Sequence, residues 1–265
     1  MSTRPLILVT NDDGISAPGI NAVAEALRGV ADVVVAAPDR ERSATSHSIS
    51  LDRPLRVDEL YPGVFSIDGT PVDCVYLALL HLVPRRPDLV VSGINHGYNL
   101  GSDVFYSGTV AGALEGALRD VPAIALSLER HRPADFDHAA GFAQALVREV
   151  LERGERAIPP GALLNVNLPA GPISGYQVTR LGKRVYRDQV AVREDLRGRA
   201  YYWIGGPEEQ GTDIPGSDCT AVRAKLASIT PLALDLTHAP LIEELSGWKI
   251  GDFVRGADLR DTTNR

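Results

Sequence analysis

The stretch Leu6-Ile7-Leu8-Val9-Thr10-Asn11-Asp12-Asp13-Gly14 decides the fold and points to the chemistry. Four branched apolar residues in succession read as a strand buried on both faces, the pattern of a parallel sheet covered by helices. Two adjacent carboxylates released at its carboxyl end, beside a glycine that lets the chain turn, are hard oxygen ligands for a cation. The carboxyl ends of strands are also where open α/β sheets bind ligands. The same residues would serve as an Asp-rich turn whose side chains cap the next helix, so the rest of the chain has to arbitrate.

Working outward, strand and helix alternate. Pro18–Arg28 reads as a helix, with Pro18 in its first turn and Ile20, Val23, Ala24 and Leu27 at helical spacing. Asp32–Ala37 is a second buried strand. Thr70–Leu82 follows as a helix with Thr70 or Asp68 as cap and Pro71 in its first turn. Asp88–Ser92 is the next strand, Thr109–Arg119 a helix, Ala123–Leu128 a strand, and Asp135–Arg153 a helix capped by Asp135 and closed by Gly154. This grammar predicts a Rossmann-like, three-layer αβα fold with a mostly parallel sheet and right-handed crossovers.

After about residue 155 the grammar changes. Ala162–Asn167 is strand-like, and Val185–Val192 and Arg199–Ile204 flank the polar Arg193–Gly198 as a β-hairpin arm. Tyr201, Tyr202 and Trp203 are more apolar than a solvated arm needs; a contact between subunits and packing on its own domain both account for them. Ala227–Asp235 reads as another strand and turn, and the last ten residues as a polar, disordered tail. The expected division is a catalytic core over 1–183 and a hairpin arm with an oligomerisation extension over 184–265, part of which returns to the core.

Composition narrows the function. The chain has 265 residues, 44% hydrophobic and 23% charged, with a net charge of −7. That balance argues against coating nucleic acid, so an anionic substrate needs a local device such as a metal or a helix N-terminus. No run approaches the roughly 20 apolar residues of a membrane span, and the N-terminus shows no secretory pattern. Cys74 and Cys219, without a CxxC, set up neither a disulfide framework nor a thiolate metal site; a reducing cytoplasm is the expected location.

Three loops should converge at the carboxyl ends of the strands. One carries Asp12 and Asp13; the second runs from Pro38 to Ser48 (PDRERSATSHS); the third runs from Gly93 through Asn95, His96 and Asn99 to Tyr106-Ser107-Gly108-Thr109. Six glycines fall between Gly93 and Gly116, and Gly108-Thr109 opens directly onto a helix, whose free N–H groups and dipole suit a phosphate. The GxxxxGK[ST] lysine is missing, which excludes a P-loop NTPase, and the first turn is no GxGxxG, which disfavours a dinucleotide. Carboxylate, amide and hydroxyl oxygens suit Mg²⁺, Mn²⁺ or Ca²⁺ better than zinc. A cation beside an anion-binding helix start is the minimal kit for phosphate-ester hydrolysis.

TNDDG after the first strand, PDRERSATSHSIS, SGINHGYNLGSDVFYSGTVAGALEG and the later SITPL together resemble the SurE family of metal-dependent 5′(3′)-nucleotidases. The match is dense over residues 6 to about 130 and recurs weakly at Gly211-Thr212-Asp213 and Ser228–Leu232. The resemblance implies metal ligands at Asp12, Asp13, Ser43 and Asn95, with Asp12, Asp13 and Asn95 serving catalysis, and phosphate contacts at Asn11, Asn99, Ser107, Gly108 and Thr109. It implies one divalent metal per subunit (Mg²⁺ or Mn²⁺, with Ca²⁺ as an occupant in crystals), nucleoside monophosphate substrates, no nucleic-acid or membrane partner, and a homodimer or homotetramer. The expected reaction is attack by a metal-activated water. Asp12 or Asp13 accepts its proton, while Asn95, Ser107 and the Thr109 helix start steady the equatorial oxygens.

Spacing alone does not choose Ser43 among Thr45, Ser46 and Ser48, and Asn95 would also suit a turn with positive φ. His96 is a candidate general acid, although a loop histidine beside glycine is more often a solvent or substrate contact. Asp39, Arg40 and Arg42 face substrate or belong to a solvated loop; His47, His81, His131, His138 and His238 default to structural or surface roles. Two rivals remain: a phosphoaspartyl phosphatase, disfavoured because its two aspartates are spaced one residue apart rather than adjacent, and a nucleotide-sensing module that binds without cleaving.

Overall fold

The computed structural model describes residues 4–130, 136–184, 189–205, 212 and 214–248. Its first compact unit runs to Leu234 and is built on a sheet of nine strands. In chain order these are β1 (Leu6–Thr10), β2 (Asp32–Pro38), β3 (Val57–Tyr61), β4 (Val64–Ile67), β5 (Leu89–His96), β6 (Ala123–Leu128), β7 (Ala162–Leu168), β8 (Tyr176–Val178) and β11 (Ala227–Ala233), with β9 (Gln189–Glu194) and β10 (Ala200–Gly205) set apart as a two-stranded hairpin. The helices are α1 (Pro18–Arg28), α2 (Pro71–Leu77), α3 (Gly108–Leu118), α4 (Asp137–Arg153), α5 (Asp218–Arg223) and α6 (Ala239–Ser246).

Strand order across the sheet is β3-β4-β2-β1-β5-β6-β7-β11-β8. β4, β2, β1, β5, β6 and β7 are parallel, while β3 and β11 run against their neighbours β4 and β7. β1 explains the architecture by itself. Ile7 and Val9 join the cluster shared with α1 and α4, including Ile20, Leu27, Ala143 and Val147. Leu6 and Leu8 face the other way, into the cluster shared with α2 and α3, including Val75, Val110 and Ala113. All four are buried, and each contributes about 1.5–3 kcal/mol relative to exposure. Alternation of side chains along a strand therefore demands helices on both faces, giving the αβα sandwich.

α3 lies unusually close to the sheet because its glycines fall every fourth residue. A Cβ on Gly116 would lie 2.8 Å from Val90, one on Gly112 2.9 Å from Thr10 and Ser92, and one on Gly108 2.7 Å from the Asp12 side chain. The stripe lets the helix rest on β1 and β5 and delivers its N-terminus to the carboxyl end of β1.

Several boundaries differ from those read in the sequence. The strand expected over Asp88–Ser92 continues through His96, since the chain bulges between Ser92 and Asn95 and then resumes pairing with β6. The helix expected to reach Leu82 is α-helical only to Leu77 and widens to a π turn over Ala78–Leu82. Thr70 is its cap, in a reciprocal capping box with Asp73. α3 starts one residue earlier, at Gly108, with Ser107 as cap. α4 starts at Asp137 behind Phe136, and the expected cap Asp135 lies outside the described residues, as do 185–188 of the hairpin and the expected tail. The antiparallel pair β3–β4 at the sheet edge was not legible, because the five residues of β3 (VDELY) are all exposed and carry no alternating pattern.

The β9–β10 hairpin exposes Val190, Val192, Tyr202, Trp203 and Ile204. The second compact unit, from Asp235, contains α6, which is capped by His238 through its Nδ1 accepting from the Leu241 N–H. Among the described residues no helix is long and apolar enough to cross a membrane.

Candidate active site

The carboxyl ends of β1, β2 and β5 and the start of α3 meet in one place. Asn11, at the end of β1, is fully buried and its amide donates to the Gly14 carbonyl at 2.9 Å, which closes the turn. Its Oδ1 is buried without a partner. Asp12 follows, 5% exposed, with its Oδ1 accepting from Thr109 Oγ1 at 2.5 Å. The Thr109 backbone N–H also faces that carboxyl. Because Gly108 has no side chain, the first turn of α3 can sit against Asp12.

The cap arrangement decides which helix donors are available. Ser107 Oγ accepts from Val110 N and Ser107 O from Ala111 N, both at 3.0 Å, and the Thr109 N–H faces Asp12, so the Gly108 N–H is left for another acceptor. Asp13 is half-buried and accepts from the His96 N–H at 3.3 Å, which ties the first loop to the third. Asn95 spends its amide nitrogen on Gly97 O at 2.8 Å, leaving its Oδ1 as an acceptor. His96 is held edge-on to Phe136, with ring centroids 6.1 Å apart.

The second loop is strapped down at several points. Arg42 N donates to Asp12 O at 2.7 Å, and Ser46 donates through Oγ to Phe105 O at 2.6 Å and through N to Tyr106 O at 3.2 Å. Thr70 Oγ1 donates to Ser48 O, while Ser50 donates through N and Oγ to the Asp73 carboxylate, each at 2.8 Å for Ser50. Ser43 stands one residue beyond the Arg42–Asp12 bond, exposed, with its hydroxyl donated to Glu41 at 2.6 Å. Arg42 itself is a clamp, spanning Asp39 at 3.2 Å and the Asp68 carbonyl at 3.1 Å. His47 pairs with Glu115 at 3.2 Å.

Asn99 sits deeper. It donates from its side chain to Ser127 Oγ and from its backbone N to Asn167 Oδ1, and its carbonyl accepts from Asn165 and Asn167. Its hydrogen bonds therefore run to β6 and β7, not to Asp12 or Thr109. This buried polar network, together with Ser46 and Asp73 as loop anchors, escaped the sequence reading. Only the Thr70-x-x-Asp73 capping box carried a visible signal.

Electrostatics mark Asp12. Burial, helped by the adjacent Asp13 charge and opposed by the Thr109 hydrogen bond, pushes its carboxyl up to about 6. Asp13 is raised too, by burial first and by Glu41, against the lowering effect of the His96 N–H. Two carboxylates whose charges are each disfavoured form a site that a cation would relieve. Among the described residues no group of three or more His, Cys, Asp or Glu could hold a metal, so a cation here must complete its shell with neutral oxygens. The Asn95 amide oxygen, the Ser43 hydroxyl and the unpartnered Asn11 Oδ1 are of that kind, and the donor set fits magnesium or manganese. A separate cavity of about 720 Å³, lined by Pro5, Arg86, Pro122, Val150 and Ile158, opens at the opposite, amino ends of the strands and carries none of this chemistry.

The sign of the Asp12 shift makes a testable statement about the metal-free protein. Its carboxyl ionises near pH 4 when unfolded and near pH 6 when folded, so the ionisation penalty is absent at pH 4 and fully present above pH 6. Asp12→Asn keeps an oxygen to accept from Thr109 and removes that penalty. In the presence of chelator it should melt about 5–10 °C above the unmodified protein at pH 7, an effect of order 2–3 kcal/mol. The gain should vanish by pH 4, and calorimetry across that range checks it.

Comparison with known proteins shows which family the chain belongs to. The family model for SurE, Survival protein SurE, matches residues 7–188. The chain is 55% identical to the 5′-nucleotidase SurE of Anaeromyxobacter dehalogenans over 252 residues, 93% of this chain and 97% of that relative. It is 53% identical to the protein of the same name from Myxococcus xanthus over 259 residues, 96% of this chain and 98% of the relative. The crystal structure of the SurE protein from Aquifex aeolicus superposes with a TM-score of 0.82 at 41% identity, covering 91% of this chain and 98% of that one. The matches span the residues that build the site and nearly the whole of each relative: the chain belongs to the SurE family of enzymes.

Proposed function

We propose that the chain is a divalent-metal-dependent 5′-nucleotidase, acting also on 3′-phosphates, that converts nucleoside monophosphates to nucleoside and phosphate. The observation that carries this reading is the contact of Asp12 with the first turn of α3, where Thr109 Oγ1 lies 2.5 Å from the carboxylate and Gly108 permits the approach. A cation site and an anion site share one wall there. A divalent ion held by Asp12, Asp13, Asn95 and Ser43 would polarise a phosphoryl oxygen and make water acidic enough to attack at neutral pH. The chain's own residues do the rest. The Gly108 N–H and the Ser107 hydroxyl hold the equatorial oxygens, and Thr109 fixes Asp12 against the helix start through the hydroxyl it donates. Asn11 closes the first turn and Asn99 anchors the third loop to β6 and β7, and Asp12 or Asp13 takes the proton released by the water.

The decisive measurement is phosphate release from a panel of nucleoside 5′- and 3′-monophosphates, using chelated protein reconstituted with one metal at a time. Release with magnesium or manganese and none with chelator is expected. Nucleotide binding without release under every metal would make the chain a sensing module instead.

We place the enzyme in the cytoplasm, where Cys74 and Cys219, both free and buried, stay reduced, and infer a homodimer or homotetramer that covers the exposed hairpin residues. Trp203→Glu should then lower the sedimenting mass of the assembly, and an unchanged mass would remove the hairpin from the interface.

A further inference from the structure

A nucleotide whose phosphate rests at the start of α3 carries its base one ribose beyond it, and the residues leading into the Ser107 cap adjoin that helix start. Phe105 and Tyr106 stand immediately before Ser107, 59% and 68% exposed. Burying either ring would contribute about 1.5–3 kcal/mol, a contribution that neither ring makes to the fold where it stands. Their backbone is fixed. Ser46 donates to both of their carbonyls, at 2.6 and 3.2 Å, and the N–H groups of Tyr106 and Ser107 both donate to Asp103 O, at 2.9 and 3.0 Å. The turn is rigid while the rings it carries face solvent.

We propose that Tyr106, with Phe105 beside it, is the nucleobase platform of this site: the base stacks on the exposed ring while the phosphate is held by the α3 start. The inference rests on the nucleotidase reading and adds how the rest of the substrate is recognised. Stacking uses the π-face that every base has, so the platform accepts all common bases and favours purines for their larger face. Discrimination by hydrogen bonds to base edges is not required.

Both backbone carbonyls keep their Ser46 bonds when the side chain is cut back, so Tyr106→Ala leaves the turn and the cap in place. The experiment compares AMP with ribose 5-phosphate, the same phosphate ester without a base, on the metal-loaded enzyme. Tyr106→Ala should raise the KM for AMP about tenfold to a hundredfold and hold kcat within about twofold. The kcat/KM for ribose 5-phosphate should not move, and Tyr106→Phe, which keeps the ring, should restore the AMP value. A parallel fall for both substrates would mean that the ring only supports the cap, and an unchanged KM for AMP in both Tyr106→Ala and Phe105→Ala would mean that the base lies elsewhere; either result overturns the proposal. Failure of the unmodified enzyme to hydrolyse any nucleotide, with ribose 5-phosphate still cleaved, overturns the nucleotidase reading itself and is visible before any variant is made.

Discussion

Asp13→Asn should lower kcat/KM for nucleoside monophosphates at pH 7 by about a thousandfold or more, with no comparable loss of stability. The two halves of that expectation have different causes. Stability is spared because asparagine keeps the oxygen that accepts from the His96 N–H, the hydrogen bond recorded for Asp13 in the fold. Activity is lost because, among the described residues, no third carboxylate, histidine or cysteine joins Asp12 and Asp13 in a group that could hold the cation, and removing one of two negative charges weakens the hold on a hard divalent ion strongly. A second consequence separates ligation from proton transfer. Asp13 helps to hold the Asp12 carboxyl up at about 6, so removing its charge lets Asp12 ionise at lower pH. If Asp13 acts chiefly as a ligand, raising manganese should recover part of the rate; if it acts chiefly as the proton acceptor, saturating metal should recover none. Steady-state kinetics over a manganese titration, with circular dichroism as the check on folding, makes the measurement. Near-normal turnover at low metal would remove Asp13 from the machinery altogether.

What the sequence made legible follows from where physics is local. The core strands were readable because runs such as Leu6–Val9 and Leu89–Val91 are buried on both faces and so contain no polar interruption. The start of α3 was readable to within one residue because Gly108-Thr109 opens directly onto a run of helical pattern, although its Ser107 cap was not. The remainder depends on contacts between distant segments. No spacing rule distinguishes Ser46, which bridges to Phe105 and Tyr106, from Ser43, whose hydroxyl turns to Glu41. Nor does any local pattern say that Asn99 is met by Asn165 and Asn167 from a strand more than sixty positions away. Exposed edge strands are harder still, since β3 has no buried face to impose a period on its residues.

The extension of β5 beyond Ser92 leads to the largest expected loss of stability, from Gly93→Ala. β5 pairs Ser92 with Ala125 and Asn95 with Ser127, so it carries one more residue than β6 between the same two rungs. Gly93 absorbs that extra residue at a φ of +130°, where an L side chain is strained. A Cβ there would lie 2.3 Å from the Leu126 carbonyl oxygen. Leu126 is backbone in a central, fully buried strand with neighbours on both sides, so it has nowhere to retreat. Strain of about 1–3 kcal/mol and overpacking of similar size add to roughly 4 kcal/mol, a large share of the 5–15 kcal/mol that holds a domain together. The melting temperature should fall by about 10 °C or more, at the 2–4 °C per kcal/mol typical of this size. On the proposed reading metal affinity should fall with it, because the bulge lies immediately before Asn95, one of the proposed ligands. Gly141→Ala is the matched control: it lies within α4 with nothing within 4 Å of the added methyl, and should stabilise by about 0.5–1 kcal/mol. If Gly93→Ala melted within a degree or two of the unmodified protein, the bulge would be tolerant of a side chain, and the account of how β5 presents Asn95 would be wrong.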